Sequence, residues 1–255
     1  MKKKILDAFY AFEKENIKNG IKGTATITVP MTIICNKLQA RGKHIYEIEG
    51  LTQAEIAQAL IWAVKDMVSE PVADIHLDYF ESGQIPSTKI SVVVTSRALM
   101  MKLVSAAQGN GLTIAGISIE EIALRHMLPN DNMAHLLVAH LPQQELLLMV
   151  GKAEEVLMQR RVRGFSQLSK ATYQELQQGI ADNLSLEIQR SMDYFESQLR
   201  QAPVASIRVV IEGDSVGLAE LVGANFNQKV HADNQDGICG LLAQLALQEL
   251  TRGDV

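Results

Sequence analysis

AHLLVAHLP (134–142), QELLLMVG (144–151) and AEEVLMQRRVRG (153–164) are three consecutive strand-like runs, and YQELQQGIADNLSLEIQRSMDYFESQLRQ (173–201) follows them with a different period. The first three are apolar or alternating over lengths a strand can use, and the short polar breaks between them suit hairpin turns. In the fourth, Leu176, Ile180, Leu184, Ile188, Met192, Phe195 and Leu199 recur every three or four residues, which predicts one helix of about seven turns. Three strands handing over to a helix, then SIRVVI (206–211) as a buried strand, EGDSVG (212–217) as a turn, a helix through Leu221, a strand QKVHA and a C-terminal helix GICGLLAQLALQEL, predict an α/β lobe from residue 134 onward.

Upstream, a similar order of elements is legible. A short helix is expected from Ile5, Phe9 and Phe12, ended by Asn16 and Gly20. From Thr24, Ile27, Val29, Met31 and Ile33 alternate with polar residues, predicting two or three antiparallel strands up to Gly50. Pro30 has no N–H for a ladder and marks an edge or bend. TQAE at 52–55 reads as a capping box before Ile56, Leu60, Ile61, Val64 and Met67, with Pro71 as the stop. A hairpin (72–81 and 88–94), a helix capped by Ser96, a strand LTIAGISI and a short helix ending at Pro129 complete the first half. LPNDNM (128–133) reads as the linker between two lobes.

Composition fits a globule: 47% hydrophobic and 21% charged residues exclude a disordered chain. The net charge of −5 is the wrong sign for a bulk nucleic-acid binder. Residues 1 to 50 hold nine Lys or Arg and five Asp or Glu, a net of +4 that leaves −9 for the rest; a solvated face is the expectation. Cys35 and Cys239 read as buried thiols of a reducing compartment. MKKKILDAFYAF lacks a cleavage site, and no apolar run approaches the ~20 residues of a membrane span, so a cytoplasmic protein is expected.

No catalytic constellation is legible, and no metal cluster either. His135 and His140 sit five apart on one strand and point to opposite faces. Alternation sends Arg161 and Arg163 to one face and Arg160 to the other, and a solvated face is expected for the cluster, although it has the chemistry to grip a phosphate or an acidic tail. Glu120 with Glu121, and Glu154 with Glu155, are adjacent rather than facing, which suits helix N-termini and strand edges. No GxxxxGK[ST] or GxGxxG occurs, and EGDSVG offers only its end glycines, Gly213 and Gly217, ahead of a helix.

DNLSLEIQRSMDYFESQLRQAPV (182–204) resembles a long-helix signature of the MshI family of MSHA pilus biogenesis proteins, itself similar to the PilM component of type IV pilus assembly. The resemblance extends in the same order over AQALIWAVKDMVSEPVADIHLDYFES (57–82), KISVVVTSRALMMKLV (89–104), GISIEEIALRHML (116–128), LLLMVGKAEEVLMQRRVRGFS (146–166) and IRVVIEGDSVGLAELVGANFNQKV (207–230). It implies the two-lobed actin-like α/β fold of FtsA and PilM: residues 1–133 as the first lobe, with an inserted small subdomain at about 51–118, and 134–255 as the second. Each lobe has a strand-strand-strand-helix-strand-helix plan.

In nucleotide-binding members of that fold, an Asp and Gly turn after each lobe's first strand cradles phosphates and holds magnesium. This chain has Pro30 and Met31 at the first such turn, and Ala139, His140, Leu141 and Pro142 at the second. On the adenosine side it keeps Gly213 and Gly217. Without those carboxylates magnesium has no anchor, and Pro142 removes a phosphate donor. The resemblance therefore implies a non-catalytic cytoplasmic scaffold, with no cofactor, at the inner face of the inner membrane. It implies as partners the cytoplasmic tail of a bitopic, PilN-like inner-membrane protein, docked in a groove whose residues the sequence does not name, and through it the hexameric extension ATPase; no nucleic acid is expected. An ATP- and magnesium-binding switch is the first alternative. The second, a cytoplasmic component of a type II secretion platform, predicts a transmembrane segment after the second lobe, and the residues up to Val255 contain none. In the signature helix, Glu187, Arg190, Asp193 and Tyr194 fall on or beside the face opposite Ile188, Met192 and Phe195. Glu187 with Arg190 and Arg190 with Asp193 are expected as exposed ion pairs, and Ser191 belongs to the same motif, which reads as structural.

Overall fold

The computed structural model describes residues 24–29, 53–68, 70–80, 91–109, 113–141, 144–153 and 155–233, with 238, 240–242, 244, 245 and 248 near the C-terminus. The N-terminal helix, the strands expected after Val29, Pro30, Met31, Cys35, Pro142, Glu154 and Cys239 lie outside these residues. The chain divides into two compact units, Met1–Glu120 with Glu249–Val255, and Glu121–Gln248.

In the first unit, β1 (Thr24–Val29) pairs in parallel with β4 (Thr113–Ile119), from Thr24 beside Thr113 to Val29 beside Ile119. The described neighbour of β1 is thus a parallel strand nearly ninety residues away in sequence, where the sequence pattern predicts local antiparallel partners. The strand β4, inside the stretch expected as an inserted subdomain, belongs to the same sheet as β1. Between them, α1 (Gln53–Val64) buries Ile56, Leu60 and Val64 at i, i+4 and i+8. The helix ends at Val64, well before Pro71, which instead precedes a short 3₁₀ turn, Val72–Asp74. β2 (Ile75–Phe80) and β3 (Ser91–Ser96) form the expected antiparallel hairpin. Ser96 Oγ accepts from the Leu99 N–H at 3.4 Å as α2 (Arg97–Gly109) begins. Val64, Ile75 and Val94 form a small core beneath these elements.

The second unit has a five-stranded sheet in the order β7-β6-β5-β8-β9, from β5 (His135–His140), β6 (Leu146–Lys152), β7 (Glu155–Val162), β8 (Ser206–Ile211) and β9 (Lys229–Ala232). β5, β6 and β7 are an antiparallel meander, while β8 runs parallel to β5 and β9 to β8. β5 and β6 are apolar almost without a break because both faces of the sheet are covered. Leu136, Val138, Leu146, Leu148 and Val150 pack on one side with Leu184, Ile188, Met192 and Phe195 of α4 (Ala181–Ser197) and Leu218 and Val222 of α5 (Ser215–Gly223). Leu137, Ala139, Leu147 and Met149 pack on the other with Ala123, Leu124 and Met127 and with Ile238, Leu241 and Leu245. Each fully buried side chain of α4 contributes roughly 1.5–3 kcal/mol. The second layer also explains the division at residue 120: α3 (Glu120–Leu124) and the turn Arg125–Met127 lie under this sheet, ahead of the 128–133 linker that the sequence suggests.

In the second unit, the long helix differs from its prediction. Residues 173–201 are not a continuous helix: Thr172 and Glu175 form a reciprocal capping box around the single turn Tyr173–Glu175, and Leu176–Ile180 is a wide π-type turn. Gly179 has φ +119, which no residue with a Cβ adopts readily, so the helix must restart at Ala181. The apolar period survives the break, which is why the sequence hides it.

Candidate functional site

The resemblance implies a nucleotide at the turns after β5 and β8; the chain's own groups fill the second, and the first is described only up to Leu141 and again from Gln144. At the end of β5, His140 is buried, its Nδ1 has no partner among the described residues, and burial holds its imidazole below the usual histidine range, partly offset by a backbone hydrogen bond with Gln144. In the described part of this turn the one carboxylate is that of Glu145, and it pairs with Arg163.

After β8, Gly213 has φ +99, and a Cβ there would stand 3.1 Å from the carbonyl oxygens of Leu168 and Ser169. The chain backs onto another backbone segment, which glycine alone permits. Asp214 then caps α5, its Oδ1 accepting from the Gly217 N–H at 2.8 Å. A Cβ on Gly217 would fall 2.3 Å from Asp214 Oδ2 and 2.7 Å from the Tyr173 ring. Ser215 Oγ donates to the Asp233 carbonyl at 3.2 Å. Gly213 and Gly217 therefore close a packed corner, and the helix N-terminus where a phosphate would be drawn already holds a carboxylate. Among the described residues, no three His, Cys, Asp or Glu come together in a way that could hold a metal ion.

His135 is tied rather than poised: its Nδ1 lies 2.7 Å from Ser206 Oγ and its Nε2 2.9 Å from Asp131 Oδ1. The histidine hydrogen bond, with the Met133 N–H, holds the Asp131 carboxyl below its usual range.

The signature helix carries a second polar constellation. Glu187 pairs with Arg190, as the spacing predicts, and with Arg160 reaching over from β7. Ser191, fully buried, donates to the Glu187 carbonyl at 2.8 Å and accepts from Arg160 Nη1 at 3.4 Å. Asp193 takes Gln189 Nε2 at 2.7 Å, where the sequence suggests Arg190, and Tyr194 is half exposed. The motif thus locks helix to sheet through Glu187 and Ser191 while Arg190 stays largely in solvent.

The expectation of a solvated arginine cluster fails for Arg161. Its side chain is 4% exposed and its Nη2 meets Glu121 Oε1, itself 3% exposed, at 2.9 Å. Its Nη1 donates to Gln144 Oε1 at 2.9 Å. Glu120 and Glu121 are both buried, not surface charges. Arg163 leaves the strand after Val162 and is exposed, with Glu145 Oε1 2.7 Å from its Nε. Arg163, Gly164, Phe165, Ile180, Leu186 and Arg190 line part of a surface cleft of about 340 Å³ beside the motif.

The strand order, with an antiparallel meander followed by two parallel strands and helices on both faces, defines the second unit as a lobe of an actin-like α/β fold. The chain matches no protein-family model and no curated protein. Among solved structures it is similar to the cytoplasmic domain of EpsL, an inner membrane component of the type II secretion system of Vibrio cholerae. The identity is 15% and the TM-score 0.43, over 79% of this chain and 68% of that one. It is also similar to a Bacteroides thetaiotaomicron protein with an actin-like ATPase fold and unknown function, at 10% identity and TM-score 0.42 over 76% and 66%. A third similarity is to the ethanolamine utilization protein EutJ of Carboxydothermus hydrogenoformans, at 12% identity and TM-score 0.36 over 56% and 58%. The chain spans about two thirds of the length of the first two. No helix of the described residues is long and apolar enough to cross a membrane.

Proposed function

We propose that this chain is a non-catalytic, actin-like scaffold of a type IV pilus assembly platform of the MSHA type. In this reading it works at the cytoplasmic face of the inner membrane, docks the cytoplasmic tail of a bitopic, PilN-like partner, and through it reaches the hexameric extension ATPase. The sequence resemblance through the 182–204 helix suggests the assembly. The observation that carries the scaffold reading is the filled nucleotide corner: Asp214 caps α5 and Gly217 is closed between that carboxylate and Tyr173. A phosphate entering there would have to displace an anion from the helix N-terminus, and His140 stands where a magnesium-anchoring carboxylate would be needed.

The test is the thermal midpoint of the full chain with and without millimolar magnesium ATP. A ligand of the native state at about 100 times its Kd adds ~2.7 kcal/mol, several degrees for a chain of this size. The expected result is no shift with ATP and a rise with the tail peptide of the pilus partner. A shift with ATP would replace the scaffold by a nucleotide switch. A rise with the tail of a type II secretion platform protein alone would move the chain to that assembly.

A further inference from the structure

We propose that the cleft between the end of β7 and α4 is a docking site for a short acidic segment of a partner protein, anchored by an apolar side chain. The inference stands apart from the pilus reading and from the nucleotide corner, because it uses only the cleft and the edge strand of the C-terminal unit.

The cleft has an apolar floor and a cationic rim. Phe165 is buried, Ile180 is partly buried, and Leu186 is 57% exposed on a helix whose other aliphatic positions face the core. On the rim, the side chains of Arg163 and Arg190 are 91% and 68% exposed. Of the charged residues that line the cleft, Arg163 and Arg190 are cationic and Glu187 alone is anionic; Glu187 also pairs with Arg160, and Arg163 with Glu145, both of these partners lying outside the lining. Each arginine has five N–H donors in a planar fork, so the two exposed ones keep donors for an incoming anion after their internal pairs are made. Asp182, one turn before Leu186, is not part of the lining. The charge left at the cleft is therefore positive, and a carboxylate-bearing ligand is the complement.

A peptide fits better than a small anion for two reasons. A lone phosphate gains nothing from Leu186 or Ile180, whereas an apolar residue between acidic ones would cover both. The cleft also continues from the last residue of β7, which is the edge strand of the sheet among the described residues, so an extended segment can pair with backbone there. At Gly164, φ is +93 and a Cβ would have no neighbour within 4 Å, which leaves open space beside the backbone at the cleft mouth.

The test selects a short random-peptide library on the full chain, with counter-selection on Leu186→Asp, then measures the winners by fluorescence anisotropy. Leu186 and Arg163 are both exposed, and the thermal midpoints of L186D and R163E are checked against the parent. The expected winners place Asp or Glu around a Leu, Ile or Phe, bind L186D and R163E roughly ten-fold or more weakly, and persist in excess inorganic phosphate. Three results would each overturn the proposal: no enrichment over the counter-selection, winners without acidic residues, or binding that phosphate displaces and L186D retains. The last would make the cleft a simple anion site.

Discussion

Replacing Arg161 by methionine is expected to be among the most damaging single changes in the C-terminal unit. Its guanidinium reaches Glu121 Oε1 at 2.9 Å and Gln144 Oε1 at 2.9 Å, and both charged side chains are almost wholly out of water. Removing one partner leaves Glu121 as a buried charge with no counter-ion, a loss of roughly 3–5 kcal/mol. A domain is stable by only about 5–15 kcal/mol, so most of the margin would go. With a urea dependence of about 2 kcal/mol per molar, the unfolding midpoint should fall by roughly 2 M. The double variant Arg161→Met with Glu121→Leu removes both charges and keeps apolar volume, so it should recover to within about 1 kcal/mol of the parent. The assay is urea unfolding of the full chain by far-UV circular dichroism. Emission from Trp62, the chain's single tryptophan, reports the first unit separately. If R161M stays within about 1 kcal/mol of the parent, or the two changes simply add, the buried pair does not have the role assigned to it.

Further expectations concern the turns and the pH response. Burial holds His140 low, so the unfolded chain takes up a proton first: this contribution is whole above pH of about 6.5 and is lost as pH falls below it. Thermal midpoints between pH 8 and 5 should decline less in His140→Asn than in the parent, and equal declines would count against the assignment. Asp131 and Glu175, also held low, act in a separate window below pH of about 4.5. Gly179→Ala should cost about 1–2 kcal/mol, because φ +119 strains any residue with a Cβ even though space is open there; an unchanged urea midpoint would contradict this. Gly217→Ala should cost about 1 kcal/mol through the displaced Asp214 cap, and Asp214→Ala introduced into that variant should then cost little more. Arg190→Ala should cost under about 0.5 kcal/mol and Glu187→Ala distinctly more, since only Glu187 also holds Arg160; equal midpoints in the two variants would argue against the lock.

The kinds of element and most of their order in the second unit are legible in the local pattern of residues. Apolar runs at 134–164 gave a meander, and the 3.6-residue period through Leu184, Ile188, Met192 and Phe195 gave the helix that covers it, because periodicity is a local property of the chain. The capping box at Thr172 and Glu175 has the same legible spacing as TQAE at 52–55, yet only the structure shows that it starts a single turn ended at Gly179. The turn at Gly213 and Gly217 is equally legible, but the Asp214 carboxylate and Tyr173 ring that close it are not. Tertiary structure alone decided that β1 pairs with β4 across most of the first unit, and that Arg161 and Glu121, forty positions apart, leave water together while Arg163, two residues on, stays in it. Strand alternation predicts a side chain's face but not what covers that face. Whether a charge is buried depends on a partner supplied by a distant segment, and that segment's position is fixed only when the whole core packs.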